Sequence, residues 1–331
     1  MKSLVRLLFV LILLLAAVGP ACAVETTKMG VHILSMDELP AAKELLKIDG
    51  SESWQYVTIP FTIADIDKKQ AWQDFFTAAR EQKIIPLVRL TTEAKNGVWL
   101  VPDRKDIVRQ LAALSALDWP TEDRYIIVFN EVNHAKEWGG YIDPSEYASI
   151  LSFTKNWALT ENKRYVVLPA AMDLAAPNGP TTREAFSYLN AMYTADAEVF
   201  KNLGGWNSHS YPNPGFSAAP TRVGKNSLRG FEHELAFLKG KTERELPVYI
   251  TETGWEDSRA TSRWLTGYYQ YAMQHIWSDA RVVAVTPFVL KGAPGPFAGF
   301  SFMTGDGKPT RQYIAFQTAL NQVFGKKTAS R

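Results

Sequence analysis

Two glutamates in this sequence each close a short apolar run. In "YIIVFNEVNH", residues 125–134, Ile126 to Phe129 lead to Asn130 and Glu131, and in "LPVYITETGW", residues 246–255, Val248 to Ile250 lead to Glu252. An acid at the carboxyl tip of a buried strand stands where a cavity opens, and two such strands are able to aim two carboxyls at one bond. Glycosidic cleavage needs such a pair, one acid to protonate the leaving oxygen and one carboxylate to attack or stabilise the sugar cation. Their protonation must differ. One has to carry a proton before attack, while the other has to stay ionised.

Other side chains gather near these two in the sequence order. His209 and Tyr211 alternate in "GGWNSHSYPNP", residues 204–214, so both are able to face one side of a strand. Arg89 interrupts the apolar "PLVRL"; it is either exposed past the strand end or a donor that holds a carboxylate ionised. Trp138 and Tyr141 follow Glu131, Trp255 follows Glu252, and Phe216 lies in a Pro/Gly-rich loop. Such rings either stack on a sugar's apolar face or pack the loops. Trp72, Trp157 and Trp277 sit in helical patterns and are expected in the core.

The elements that would position these residues follow from periodicity. Strands are expected near residues 29–34, 55–60, 84–90, 125–130, 165–169, 205–209, 247–251 and 282–288. Between them lie segments such as "KQAWQDFFTAAREQ" and "RKDIVRQLAALSAL", apolar at helical spacing. One helix start is explicit: Asp143 at the cap, Pro144 at the first helical position and Glu146 shortly after. Eight strands alternating with helices predict a single-domain α/β fold, the (β/α)8 TIM barrel, whose active sites lie at the carboxyl ends of the strands. A doubly wound sheet would normally carry a Gly-rich turn after its first strand; here "MGVHIL" runs into "SMDELPAAKEL". Glu131 then ends the fourth strand and Glu252 the seventh, roughly opposite across the barrel mouth.

With these motifs the chain resembles retaining glycoside hydrolases of the large (β/α)8 clan that includes family 5 cellulases and family 39 xylosidases. The resemblance implies that Glu131 is acid/base and Glu252 nucleophile, that Asn130 binds the sugar's 2-hydroxyl, and that His209 and Tyr211 line the catalytic subsite. It departs from family 5 in having Val132 after the glutamate, where that family usually has proline. Many members also place a tryptophan floor at the end of strand eight, where this chain reads "VTPFVL" and Phe288 is the available ring.

Composition sets the outer bounds. The 331 residues carry a formal net charge of +2, which offers no nucleic-acid or anionic-membrane footprint. Lys2 and Arg6, an apolar run from Leu7 to Val18, and "ACA" ending at Ala23 read as a signal peptide over residues 1–23, with the catalytic domain over 24–331. The expectation is a secreted or extracytoplasmic protein, or one anchored if the signal is not cleaved. The sole cysteine, Cys22, lies in that segment, so the mature chain would have no disulfide, thiolate metal site or cysteine nucleophile. The five histidines show no ligand spacing, and no Walker or Rossmann motif appears. No metal or nucleotide cofactor is expected, and the expected partner is an oligo- or polysaccharide met by a monomer. A barrel that only binds carbohydrate, or a transglycosylase, are the rival readings.

Overall fold

The computed structural model describes residues 25–326; the proposed signal peptide, its cleavage site and the final basic residues lie outside them. Eight parallel strands form one sheet: β1 (Thr26–His32), β2 (Trp54–Phe61), β3 (Ile84–Leu90), β4 (Arg124–Val128), β5 (Tyr165–Pro169), β6 (Trp206–Ser208), β7 (Val248–Ile250) and β8 (Val282–Val285). Their order is β5-β4-β3-β2-β1-β8-β7-β6, and β1 pairs with β8 through Met29 and Val285, so the sheet curls into a barrel. The seam between β5 and β6 is completed by Gly204 N–H donating to Val167 O at 3.0 Å and by a parallel bridge between Asp173 and His209.

Helices fill each crossover: α1 (Leu39–Leu45), α2 (Lys69–Glu81), α3 (Arg104–Ser115), α4 (Pro144–Glu161), α5 (Ala185–Ala195), α6 (Gly230–Leu238), α7 (Leu265–His275) and α8 (Arg311–Phe324). In α2 the buried Trp72, Phe75, Phe76 and Ala79 fall on one face at helical spacing, which is why that segment lies on the sheet. The start of α4 is as its residues imply, with Asp143 accepting from the amides of Ser145 (3.0 Å) and Glu146 (2.9 Å). Glu146 itself turns away to accept from Trp138 Nε1 at 2.8 Å.

Two apolar layers result. Most of the core lies between sheet and helices, including the fully buried Trp72 and Trp277. A smaller cluster plugs the barrel's interior: Tyr56, Ile85, Leu87, Ile127, Leu168 and Tyr249. Trp157 corrects the expectation of a buried ring; it is only partly buried, stacked on Phe153 with its centroid 5.9 Å away. Period-two alternation carries the interior stripe upward, so that Ile85 and Leu87 are followed on the same face of β3 by Arg89. The interior is thus apolar below and charged at its carboxyl end.

Candidate active site

Five strand ends bring polar groups to, or directly behind, the wall of one cavity of about 530 Å³ at the carboxyl face of the barrel. His32 comes from β1, Arg89 from β3, Asn130 and Glu131 follow β4, His209 and Tyr211 follow β6, and Glu252 follows β7. The placement of Asn130 and Glu131 depends on a break in alternation. Phe129 and Glu131 adopt left-handed backbone, with φ of 70° and 31°, a conformation costly for residues with side chains. The turn sends Phe129 against Trp138, centroids 5.8 Å apart, and leaves Asn130 facing Arg89. A hydrogen bond from His134 N–H to Glu131 O at 2.8 Å holds the turn closed.

Arg89 organises the centre. Its Nη1 donates both to Asn130 Oδ1 and to Glu252 Oε1, each at 2.7 Å. Tyr211 OH donates to the other Glu252 oxygen at 3.2 Å. His32 stands on the far side, with Nδ1 3.5 Å from Glu252 Oε1 and Nε2 3.4 Å from Arg89 Nη2. A guanidinium has no acceptor, so His32 Nε2 must accept and its proton sits on Nδ1, toward Glu252. Burial first, and then the charge of Arg89, push the His32 pKa down to about 3, so this ring is neutral in ordinary buffers. Burial alone would raise the Glu252 pKa, but His209 and Arg89 outweigh it and hold the carboxyl well below the usual range.

His209 connects the two acids. Its Nδ1 lies 2.9 Å from Glu131 Oε1 and 3.8 Å from Glu252 Oε2. Its Nε2 lies 3.3 Å from Thr251 Oγ1, whose own proton goes to Asn207 Oδ1 at 2.5 Å. Both ring nitrogens thus face oxygens, which favours a positive charge on the ring. Burial opposes that charge, yet Glu252 and Glu131 raise its pKa above the ordinary value. Donor atoms of Glu131, His209 and Glu252 all lie within 4.8 Å of one another, a spacing that also suits a metal ion. Arg89, bonded to Glu252 at 2.7 Å, already supplies the positive charge there and opposes a divalent cation.

The structure brings Arg89, Asn130, Glu131, Tyr211, Glu252 and Phe288 to the cavity wall, with His209 directly behind it. Phe288 packs edge-on to His32, with centroids 5.2 Å apart. Two expected sugar-binding rings are corrected. Trp255 is fully buried behind the wall, donating to Ala218 O at 2.8 Å among Tyr268, Tyr269 and Trp277. Trp138 reaches the wall but is 1% exposed, wedged between Phe129 and Tyr147, and presents no free face. Tyr141, exposed on the fourth loop, bonds Glu146 rather than facing the cavity. Phe216 and the long last loop do contribute, the latter through Phe297 and Phe300.

Sequence reasoning missed His32, Trp99, Glu137 and the His134–Asp173 pair, whose Nε2 and Oδ2 lie 2.9 Å apart in the cavity wall. A signal existed for His32, a polar residue inside the apolar "MGVHIL". Trp99 arrives on a two-stranded hairpin, Ala94–Lys95 with Val98–Trp99, inserted after β3.

No family model matches this sequence, and no curated protein does. Solved structures do match its fold. A monomeric β-xylosidase from Caulobacter crescentus aligns over 90% of this chain and 69% of its own, with TM-score 0.60 and 16% identity. A GH5_18 protein from Streptomyces cattleya, in complex with GlcNAc, aligns over 93% and 83%, with TM-score 0.61 and 14% identity. An endo-β-1,4-glucanase from Xanthomonas axonopodis pv. citri aligns over 89% and 98%, with TM-score 0.56 and 14% identity. At these identities the likeness is one of fold, a single-domain (β/α)8 barrel.

Proposed function

We propose that the protein is a glycoside hydrolase that cleaves a β-linked sugar by double displacement, with Glu131 as acid/base and Glu252 as nucleophile. One observation carries the reading: a Glu131 oxygen and a Glu252 oxygen lie within 4.8 Å of each other in one cavity. That closeness is compatible with the ~5–5.5 Å between carboxyl groups of retaining enzymes and supports the double-displacement reading. Arg89 and Tyr211 keep Glu252 ionised and aim it; the His209 ring orients Glu131. Once Glu252 is bonded to the sugar its charge is gone, and Glu131 serves as base for the water that completes the cycle. The fold-level neighbours, a β-xylosidase and an endo-β-1,4-glucanase among them, favour the same chemistry by analogy.

A panel of chromogenic glycosides and polysaccharides identifies the sugar, and two variants test the roles. Glu252→Gln should lose several orders of magnitude on every substrate. Glu131→Gln should lose most on sugar or alcohol leaving groups. On nitrophenyl glycosides it should release a burst of nitrophenol and then turn over slowly, because the second step has lost its base. Equal, modest losses in both variants on both substrate types would make the pair structural and favour a barrel that only binds carbohydrate. Adding acceptor sugars to the same assay separates hydrolysis from transglycosylation.

A further inference from the structure

The cavity is divided by polarity. One arc, from the loops after β4 and β5, carries Asn130, Glu131, His134, Glu137 and Asp173. The facing crescent, from the loops after β8, β1 and β3, carries Leu34, Leu100, Phe288, Pro296, Phe297 and Phe300, with Trp99 beside Leu100 and Thr91 and Thr92 below them. Three of these remain open to solvent at the mouth: Leu34 is 44% exposed, Leu100 40% and Phe297 46%. Among the described residues seven large hydrophobic side chains are that exposed, and three of the seven ring this one opening. Exposed apolar groups gathered at one place mark a binding surface, whereas scattered ones do not.

The crescent's open rings are Trp99 and Phe297, and the aliphatic groups between them are not stacking platforms. Leucine and proline offer no π face. Phe288 is engaged edge-on by His32 and Phe297, at 5.2 and 5.0 Å, and Phe300 sits edge-on to Phe216 at 5.1 Å. Such a wall removes methylenes from water without asking for a hydrogen bond. A polysaccharide threading the mouth would leave its hydroxyls unpaired against it.

We infer that the substrate is amphipathic: a glycoside whose sugar lies on the polar arc and whose attached alkyl or acyl chain lies on the Leu34–Leu100–Phe297 crescent. The inference rests on the glycosidase reading above and narrows its substrate class. The chain has two possible points of attachment, the glycosidic oxygen or an ester on a ring hydroxyl, and the experiment separates them.

The test uses the wild-type protein with methyl, hexyl and octyl β-glycosides of glucose, galactose, mannose and xylose, below their micelle concentrations. Methyl glycosides of the three hexoses esterified with octanoate at the 6-hydroxyl form the second arm. Turnover is followed by sugar release and binding by calorimetry. The expected result is a rise in kcat/KM or affinity of at least about tenfold from methyl to octyl, in the arm that carries the chain as the natural substrate does. Leu34→Ser and Phe297→Ser, at exposed positions that tolerate polarity, should lower the octyl-to-methyl ratio severalfold. Glycosides cleaved with no dependence on chain length in either arm would overturn the inference and leave the glycosidase reading intact. The same holds if both variants weaken methyl and octyl compounds alike. Octyl compounds that bind more tightly than methyl ones but are never cleaved would have the opposite meaning: the amphipathic ligand stands and the hydrolase reading falls.

Discussion

Glu252 is an acid that the protein must keep charged while burying it, at 8% exposure. Two bonds at 2.7 and 3.2 Å, from Arg89 and Tyr211, together with the nearby His209 ring replace the water it loses. The consequence for stability has a definite sign. A carboxyl whose folded pKa lies below its unfolded value of about 4.3 adds stability above that value and gives it up as pH falls through the folded one. The wild type should therefore lose unfolding free energy more steeply than Glu252→Gln from about pH 5 downward. His32, with a pKa near 3, and His209, whose pKa Glu252 raises, both respond to the loss of that charge, so the difference reports Glu252 together with its coupling to the two rings. Urea unfolding of the two proteins from pH 6 to 3 makes the comparison, and parallel curves would mean that Glu252 ionises as an ordinary carboxyl.

The turn after β4 is held from below by α4. Tyr147, fully buried on that helix, donates its hydroxyl proton to Val128 O at 3.0 Å and accepts from Ala170 N–H at 2.6 Å. One phenol thus ties the end of β4 to the end of β5, beneath Asn130 and Glu131. Tyr147→Phe keeps the ring but orphans a buried carbonyl and a buried amide, each a desolvation loss of about 1–3 kcal/mol. The variant should unfold at lower denaturant and turn over more slowly, with KM changed less than kcat, because Glu131 is displaced while the cavity survives. Unchanged kcat alongside lowered stability would show that the tie is structural only.

At the scale of the whole barrel, closure depends on a seam too crowded for a side chain. A Cβ at Gly204 would lie 2.6 Å from Val166 Cγ1, 2.8 Å from its Cα and 2.9 Å from Val167 N. Backbone cannot yield as a flexible side chain does, so Gly204→Ala should push β5 and β6 apart at a cost of about 1–3 kcal/mol. Denaturation measured by tryptophan fluorescence reads this loss; a variant as stable as wild type would show that the seam bears no closing strain. The proposal of export belongs to this scale too. Expression in a secreting host should yield a mature chain beginning near Val24, whereas secreted or membrane material that retains Leu7 to Val18 by mass spectrometry would mean an anchor.

Much of this molecule is legible in one dimension because its local signals agree. Strand residues 84–90 and 165–169, the cap at Asp143 and the helical faces are set by short-range periodicity and capping, which need no partner. The two strand-end glutamates are visible for the same reason, since an acid that ends an apolar run contradicts its surroundings. What the sequence could not decide is where a ring or a charge points once loops fold back. Trp138 and Trp255 sit beside the catalytic motifs in the chain and yet are swallowed by Phe129, Tyr147, Tyr268 and Tyr269, contacts made across loops and helices. His32, 99 residues before Glu131, has no local mark of its role beyond its polarity. The left-handed turn at Phe129 reverses the facing that alternation predicts for Asn130. Periodicity is a property of neighbours in the chain; the meeting of Arg89, His209 and Glu252 is a property of a closed barrel, and only closure creates it.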